Sequence, residues 1–391
     1  RNLCCMTLED RISQINESLF FKEFSFSKNK FSPPQSSELE FADHVIWLDD
    51  LLITFQLKER DLSGIRTEQT EIKWFNKKII KDATKQIRDT LSYLNTHEEI
   101  KIANERNHTF NVASGKISKR IHVVSYSPHD LLPKEYRTKK FHLSSTAACF
   151  IHLIPEYDYQ EMCKTFITPA EIGEYLEFRK EISTKHEDKV NALPEQAIVG
   201  QFLQGNLEDV PDITFAKYLD AFIQRSEEFD CSHILRTFAD SILTTTNQHD
   251  YYQILKELAK LKRTELKDFK IRYDLCIQKC RENAVDFPYR MSSPRTGCGF
   301  VFIIMPSDPV SEIQIALENY TDGHKYDQKL SKCIGITFSH DGKMYNINWG
   351  YIEEEWAYDS ELEQMLKENF PFRTVRGKYF STYQFDNDLL H

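Results

Sequence analysis

Residues 40–60 read Glu40-Phe-Ala-Asp-His-Val-Ile-Trp-Leu-Asp-Asp-Leu-Leu-Ile-Thr-Phe-Gln-Leu-Lys-Glu-Arg60. Two runs rich in β-branched, aromatic and aliphatic residues, Glu40–Trp47 and Leu51–Lys58, flank the tight turn Leu48-Asp49-Asp50, which predicts a β-hairpin. In the second run Leu51, Ile53, Phe55 and Leu57 alternate with Leu52, Thr54, Gln56 and Lys58. Side chains two apart share a face of a strand, so Gln56 and Lys58 project together, and Asp43 shares a face with Val45 and Trp47. Pairing in that register brings an acid, an amide and an amine to one end of a sheet. A carboxylate beside a lysine on adjacent strands suits a divalent cation and a phosphate. The plain alternative is an edge hairpin with solvated charges.

Working outward, Thr7 with Asp10 forms a capping-box-like helix start, and Leu8, Ile12, Ile15 and Leu19 mark its apolar face to about Phe20. Phe21–Phe26 alternates as a strand, and Lys28–Ser37, with Pro33-Pro34, is a loop. After a loop over Asp61–Thr70, Glu71–Asn95 predicts a long amphipathic helix whose stripe is Ile72, Phe75, Ile79, Ala83, Ile87, Leu91 and Leu94. Thr96–Gly115 reads as polar loop and Arg120–Ser125 as a strand. The order is helix, three strands, helix, strand.

Asp43, a short hairpin and Gln56-Leu57-Lys58, set in that αβββαβ order, resemble the PD-(D/E)xK nuclease superfamily, in the Mrr-type variant where glutamine replaces the second acid. The resemblance covers residues 1–140. It implies an α/β fold with a restriction-endonuclease-like mixed sheet, and a nuclease, in a restriction or phage-defence setting, that uses Mg²⁺ or Mn²⁺ to hydrolyse DNA. Asp43 and the Leu57 carbonyl would then hold the cation. Lys58 would orient or deprotonate the attacking water or stabilise the pentavalent phosphate. Gln56 could still ligate or orient but brings no charge, so Glu17, near the end of the first helix, or Glu40 would compensate, with Glu9 a weaker claimant. The departure at Gln56 leaves two alternatives open: an inactive binding scaffold, and a nuclease directed at RNA.

On the long helix Lys78, Lys81, Lys85 and Arg88 fall at i, i+3, i+7 and i+10, a basic stripe that could follow a nucleic-acid backbone or simply face water. Gln86 stands where related nucleases place a polar residue near the site. Trp47 and Trp74 read as core. The sequence holds no Gly-rich phosphate loop, GxSxG elbow or HExxH.

The whole chain of 391 residues carries a net charge of −10, but residues 1–150 hold 23 Lys and Arg against 20 Asp and Glu, leaving 27 against 40 for the rest. Nucleic acid therefore belongs with the first part. No run of apolar residues is long enough to span a membrane, and no signal segment stands at the start; the chain opens on Arg1, and Met6 reads as a natural start. Nine scattered cysteines imply reduced thiols and a cytoplasmic location. Cys276 and Cys280 share a helical face without a second ligand pair, and Cys4-Cys5 are too close for a metal pair.

Past the basic connector Tyr126–Lys140, residues 141–391 are expected to form a second, mainly helical α+β domain, regulatory, sensing or dimerising, through which a second copy or a partner protein engages. Thr146–Pro155 could extend the first sheet or begin the next unit. Thr168-Pro169-Ala170-Glu171 announces a helix, and Tyr251–Arg281 reads as one long helix. Arg295–Pro306 returns to sheet, and Asp341-Gly342 marks a second hairpin.

Overall fold

The computed structural model describes residues 6–33, 37–60, 65–205, 208–219, 226–242, 249–306 and 310–373. Parts of two expected loops (34–36 and 61–64) and the pair Cys4-Cys5 lie outside the described residues. The described residues fall into two compact units, one within 6–219 and the other within 226–373.

In the first unit, helix α1 (Leu8–Phe24) starts on the Thr7–Asp10 capping box and breaks at Phe21, whose φ is +62°. Only Ser25–Phe26 (β1) of the expected strand pairs with the sheet. The turns before it are held by buried Glu23, which pairs with Arg106 at 2.7 Å. Short strands β2 (Lys30–Phe31) and β3 (Leu39–Glu40) form their own ladder. The expected strand Glu40–Trp47 is thus interrupted: Phe41 and Ala42 turn into the core, and the Asn29 side chain donates to the Ala42 carbonyl at 3.1 Å. Strands β4 (His44–Leu48) and β5 (Leu51–Lys58) form the predicted hairpin, turning at Asp49, whose φ is +56°.

The next helix is continuous but not uniform. Helix α2 (Glu68–Trp74) passes into a π-helical segment (Phe75–Asp82) and then into α3 (Ala83–Thr96). Trp74, Phe75, Ile79, Ala83 and Ile87 pack on Val124, Tyr126, Ile151 and Leu153 of the sheet. The stretch expected as polar loop contains a small hairpin, β6 (Lys101–Ala103) with β7 (Thr109–Asn111). Then come β8 (Lys119–Tyr126), β9 (Phe141–Ser144) and β10 (Cys149–Pro155).

The sheet runs β1-β4-β5-β8-β10-β9, with β5, β8 and β10 parallel and the remaining pairs antiparallel. This is an α/β unit with a mixed sheet. It does not stop at the expected boundary of 140, because β10 continues the sheet and the next helices are tied to it. Arg179, on the helix Pro169–Lys185, donates to the Lys140 carbonyl at 2.8 Å and the Leu153 carbonyl at 3.1 Å. Its guanidinium also meets Glu195 at 2.7 Å, and Lys140 Nζ reaches the same carboxylate at 3.1 Å, all deeply buried. These cations, and after them the Tyr175 hydroxyl, hold the Glu195 carboxyl well below the usual range despite its burial.

The second unit has more helix than strand, its helices packed on one sheet. Strands β11 (Tyr289–Ser293), β12 (Cys298–Ile304), β13 (Lys332–His340) and β14 (Tyr345–Glu353) make one sheet in that order, with β12 and β13 parallel. Phe269 and Tyr273 on the helix Arg263–Arg281 cover one face with Phe300, Phe302 and Phe338. The helix Val310–Asp327 covers the other, closely: a Cβ on Gly335 would lie 2.0 Å from Thr321 Oγ1. The expected helix Tyr251–Arg281 is two, Tyr252–Ala259 and Arg263–Arg281, because the chain turns at 260–262 to bury Leu261. The predicted hairpin turns at Gly342, whose φ is +90°. The described cysteines are free thiols. Among the described residues no helix is long and apolar enough to cross a membrane.

Candidate active site

The site forms where the parallel strands β5, β8 and β10 end, the edge of an open α/β sheet at which ligands bind. Alternation along β5 turns Gln56 and Lys58 to one face. The register of β4 on β5, His44 opposite Phe55, carries Asp43 alongside Gln56. Lys58 Nζ lies 2.9 Å from Asp43 Oδ2, and the Leu57 amide donates to the same oxygen at 2.6 Å. Lys58 Nζ also donates to the Leu57 carbonyl at 3.2 Å. The pair is largely shielded, with 12% and 17% of the two side chains exposed, so its charges interact more strongly than they would on an open surface.

Gln56 is only 1% exposed and its Oε1 has no hydrogen-bond partner. A buried acceptor without a donor costs about 1–3 kcal/mol, which a ligand at the site would recover. Behind Asp43, His44 bonds Ser25 Oγ at 3.1 Å, and burial lowers its pKa to about 3, so the imidazole is neutral.

The acids divide by position. The Leu8 amide donates to Glu59 at 3.1 Å, which seats the start of α1 over the end of β5. Glu9 therefore stands near the site: burial first, then the charges of Asp43 and Glu40, raise its carboxyl pKa, and Lys58 opposes them. Burial and then Asp43 likewise raise Glu40. Glu17 is elsewhere. Burial raises it too, but its next influence is Glu105, and Ser13 donates to it at 3.3 Å. The first-helix glutamate at the site is Glu9, near the helix start, rather than Glu17, which stands at the middle of α1.

The basic stripe also divides. Lys78, Lys85, Asp82 and Gln86 line a cavity of about 350 Å³ together with Lys58. Lys81 and Arg88 are not among its lining; Arg88 instead meets Asp89 at 3.4 Å. The wider turn of the π segment breaks the i, i+3, i+7, i+10 pattern that a plain α-helix would give. Within the cavity Lys78 pairs with Asp82 at 2.9 Å, and Gln86 Oε1 is buried without a partner. Trp47 and Trp74 serve the core, as expected.

Among the described residues no three His, Cys, Asp or Glu side chains converge to hold a metal by themselves. Mg²⁺ does not need such a cage, since it keeps several waters and uses one or two carboxylates with substrate phosphates. Asp43, the Leu57 carbonyl, the orphaned Gln56 Oε1 and the neighbouring Glu40 and Glu9 are a hard oxygen set of that kind. Compared with protein-family models, curated proteins and solved structures, the chain shows no match.

Proposed function

We propose that the chain is a metal-dependent nuclease that hydrolyses phosphodiester bonds in DNA. The observation that carries this reading is the contact of Lys58 with both Asp43 and the Leu57 carbonyl, beside a buried amide oxygen that lacks a donor. The element order α1, β1, β4, β5, long helix, β8, with β5 and β8 parallel, supports a restriction-endonuclease-like core.

Asp43, the Leu57 carbonyl and Glu40 or Glu9 would hold a Mg²⁺ or Mn²⁺ ion, with Gln56 as a neutral ligand. When bound, the ion supplies Lewis-acid polarisation of the phosphate and a more acidic water. Lys58 donates hydrogen bonds to the charge that builds on the phosphate oxygens. Lys78 and Lys85 attract the nucleic-acid backbone. The second unit serves as the regulatory, sensing or dimerising module, and sedimentation of the full chain tests for a dimer.

Gln56 favours a second reading, a nuclease-like scaffold that binds nucleic acid without cutting it, because it removes one charge from the site. Incubation with plasmid, linear and single-stranded DNA and with RNA, in Mg²⁺, Mn²⁺ or chelator, separates the two. Cation-dependent cleavage of DNA is expected. Cleavage of RNA alone would change the substrate, and binding without any cleavage would leave the scaffold.

A further inference from the structure

Lys58 Nζ donates to the two oxygen-bearing groups, the Asp43 carboxylate and the Leu57 carbonyl, that would ligate a divalent ion, and the same side chain lines the neighbouring cavity with Lys78, Lys85 and Gln86. An ammonium and a divalent cation cannot share those oxygens. They compete for the same negative charge and repel each other at such range. We propose that the Lys58 ammonium is the resident counter-cation of the site, and that a divalent ion binds by displacing it into the adjoining cavity, where Lys58, Lys78 and Lys85 together form a seat for a substrate phosphate. This inference rests on the nuclease reading and deepens it.

Two features favour the exchange. Lysine carries its charge on a flexible stem and can swing between neighbouring seats without moving the strand. Among the described residues that line the cavity Asp82 is the one carboxylate, and it is already paired with Lys78 at 2.9 Å. A third ammonium there has no partner of its own, so the arrangement gains by taking up a tetrahedral anion. The cation and the anion then reinforce each other, because arrival of either favours the position of Lys58 that the other needs.

The test is calorimetric titration of the full chain and its Lys58→Met variant with Mn²⁺, without nucleic acid. Methionine keeps the length of the side chain and removes its charge; a thermal melt confirms folding. The exchange predicts Mn²⁺ binding at least about tenfold tighter in Lys58→Met. Equal or weaker binding in the variant would overturn the exchange while leaving a cation-binding site. Binding in neither protein would overturn the exchange, and the nuclease reading would then stand or fall by the cleavage assay alone. A second titration uses sulfate as the tetrahedral probe: Mn²⁺ should tighten sulfate binding to the unsubstituted chain, and Lys85→Met should remove that gain. Sulfate affinity indifferent to Mn²⁺ would overturn the shared seat.

Discussion

Glu9 and Asp43 share one electrostatic neighbourhood: burial, and after it the Asp43 charge, push the Glu9 carboxyl above its usual range. Glu17, on the same helix, answers to Glu105 instead. Glu9→Gln should therefore weaken Mn²⁺ binding about tenfold, the effect of roughly 1.4 kcal/mol of lost attraction, whereas Glu17→Gln should leave it unchanged. Calorimetry on both variants checks this; a larger loss for Glu17→Gln would reverse the assignment.

Lys58→Ala should lower cleavage by about 10²–10⁴, the usual contribution of one positioned charge or proton-transfer group. Stability should fall by about 1–3 kcal/mol, because the largely shielded Asp43 carboxylate loses its ammonium partner but keeps the Leu57 amide. Chemical denaturation beside a cleavage assay reads both, and full activity in the folded variant would remove the role given to Lys58.

Gln56→Glu places a new charge in a site already crowded with carboxyls. In chelator the variant should be less stable by about 1–3 kcal/mol, and Mn²⁺ should return much of that loss. Melting curves with and without the ion decide it: a deficit that Mn²⁺ does not touch would mean that Gln56 does not face the cation.

Burial holds His44 at a pKa of about 3 and His122 at about 4, both below the ordinary value near 6.5. Below pH 6.5 the unfolded chain binds protons that the folded chain refuses, so stability falls as the pH drops toward those lowered values. From pH 7 to 5 each histidine should remove about 2 kcal/mol. Urea titrations at pH 7 and 5 measure the loss, and His44→Gln should shrink it.

Glu195→Gln should cost about 3–5 kcal/mol, because Arg179 and Lys140 would be left buried with one carboxylate fewer. Denaturant midpoints for the variant measure the loss. A loss under about 1 kcal/mol would show that water reaches the pair.

The hairpin and the Asp43–Lys58 meeting were legible because alternation and a tight turn are local properties. The choice between Glu9 and Glu17 was not, since it depends on which end of α1 crosses the strand ends, and that is set by the Leu8–Glu59 bond between distant segments. Phe41 and Ala42 look like strand residues, and only the Asn29 side chain, bonded to both Phe26 and Ala42 carbonyls, shows why the strand stops there. The boundary placed at 140 failed for a similar reason. Proline and basic residues resembled a linker, while the Arg179 bonds that bind the next helices to the sheet have no sequence period. Tyr289–Ser293 was missed because so short and polar a strand has no alternation to read.

The π-helical segment Phe75–Asp82 carries Lys78 and ends just before the turn that holds Lys85 and Gln86, so the reach of the lysine cavity depends on how many residues the helix contains as well as on which they are. Each residue turns an α-helix by about 100°. Loss of one residue between Lys78 and Lys85 would let the wide turn close to ordinary pitch and change the spacing of the two lysines, with both of them chemically intact. Insertion and deletion, the changes most helices tolerate worst, are here the simplest way for descendants of this chain to alter what the cavity grips.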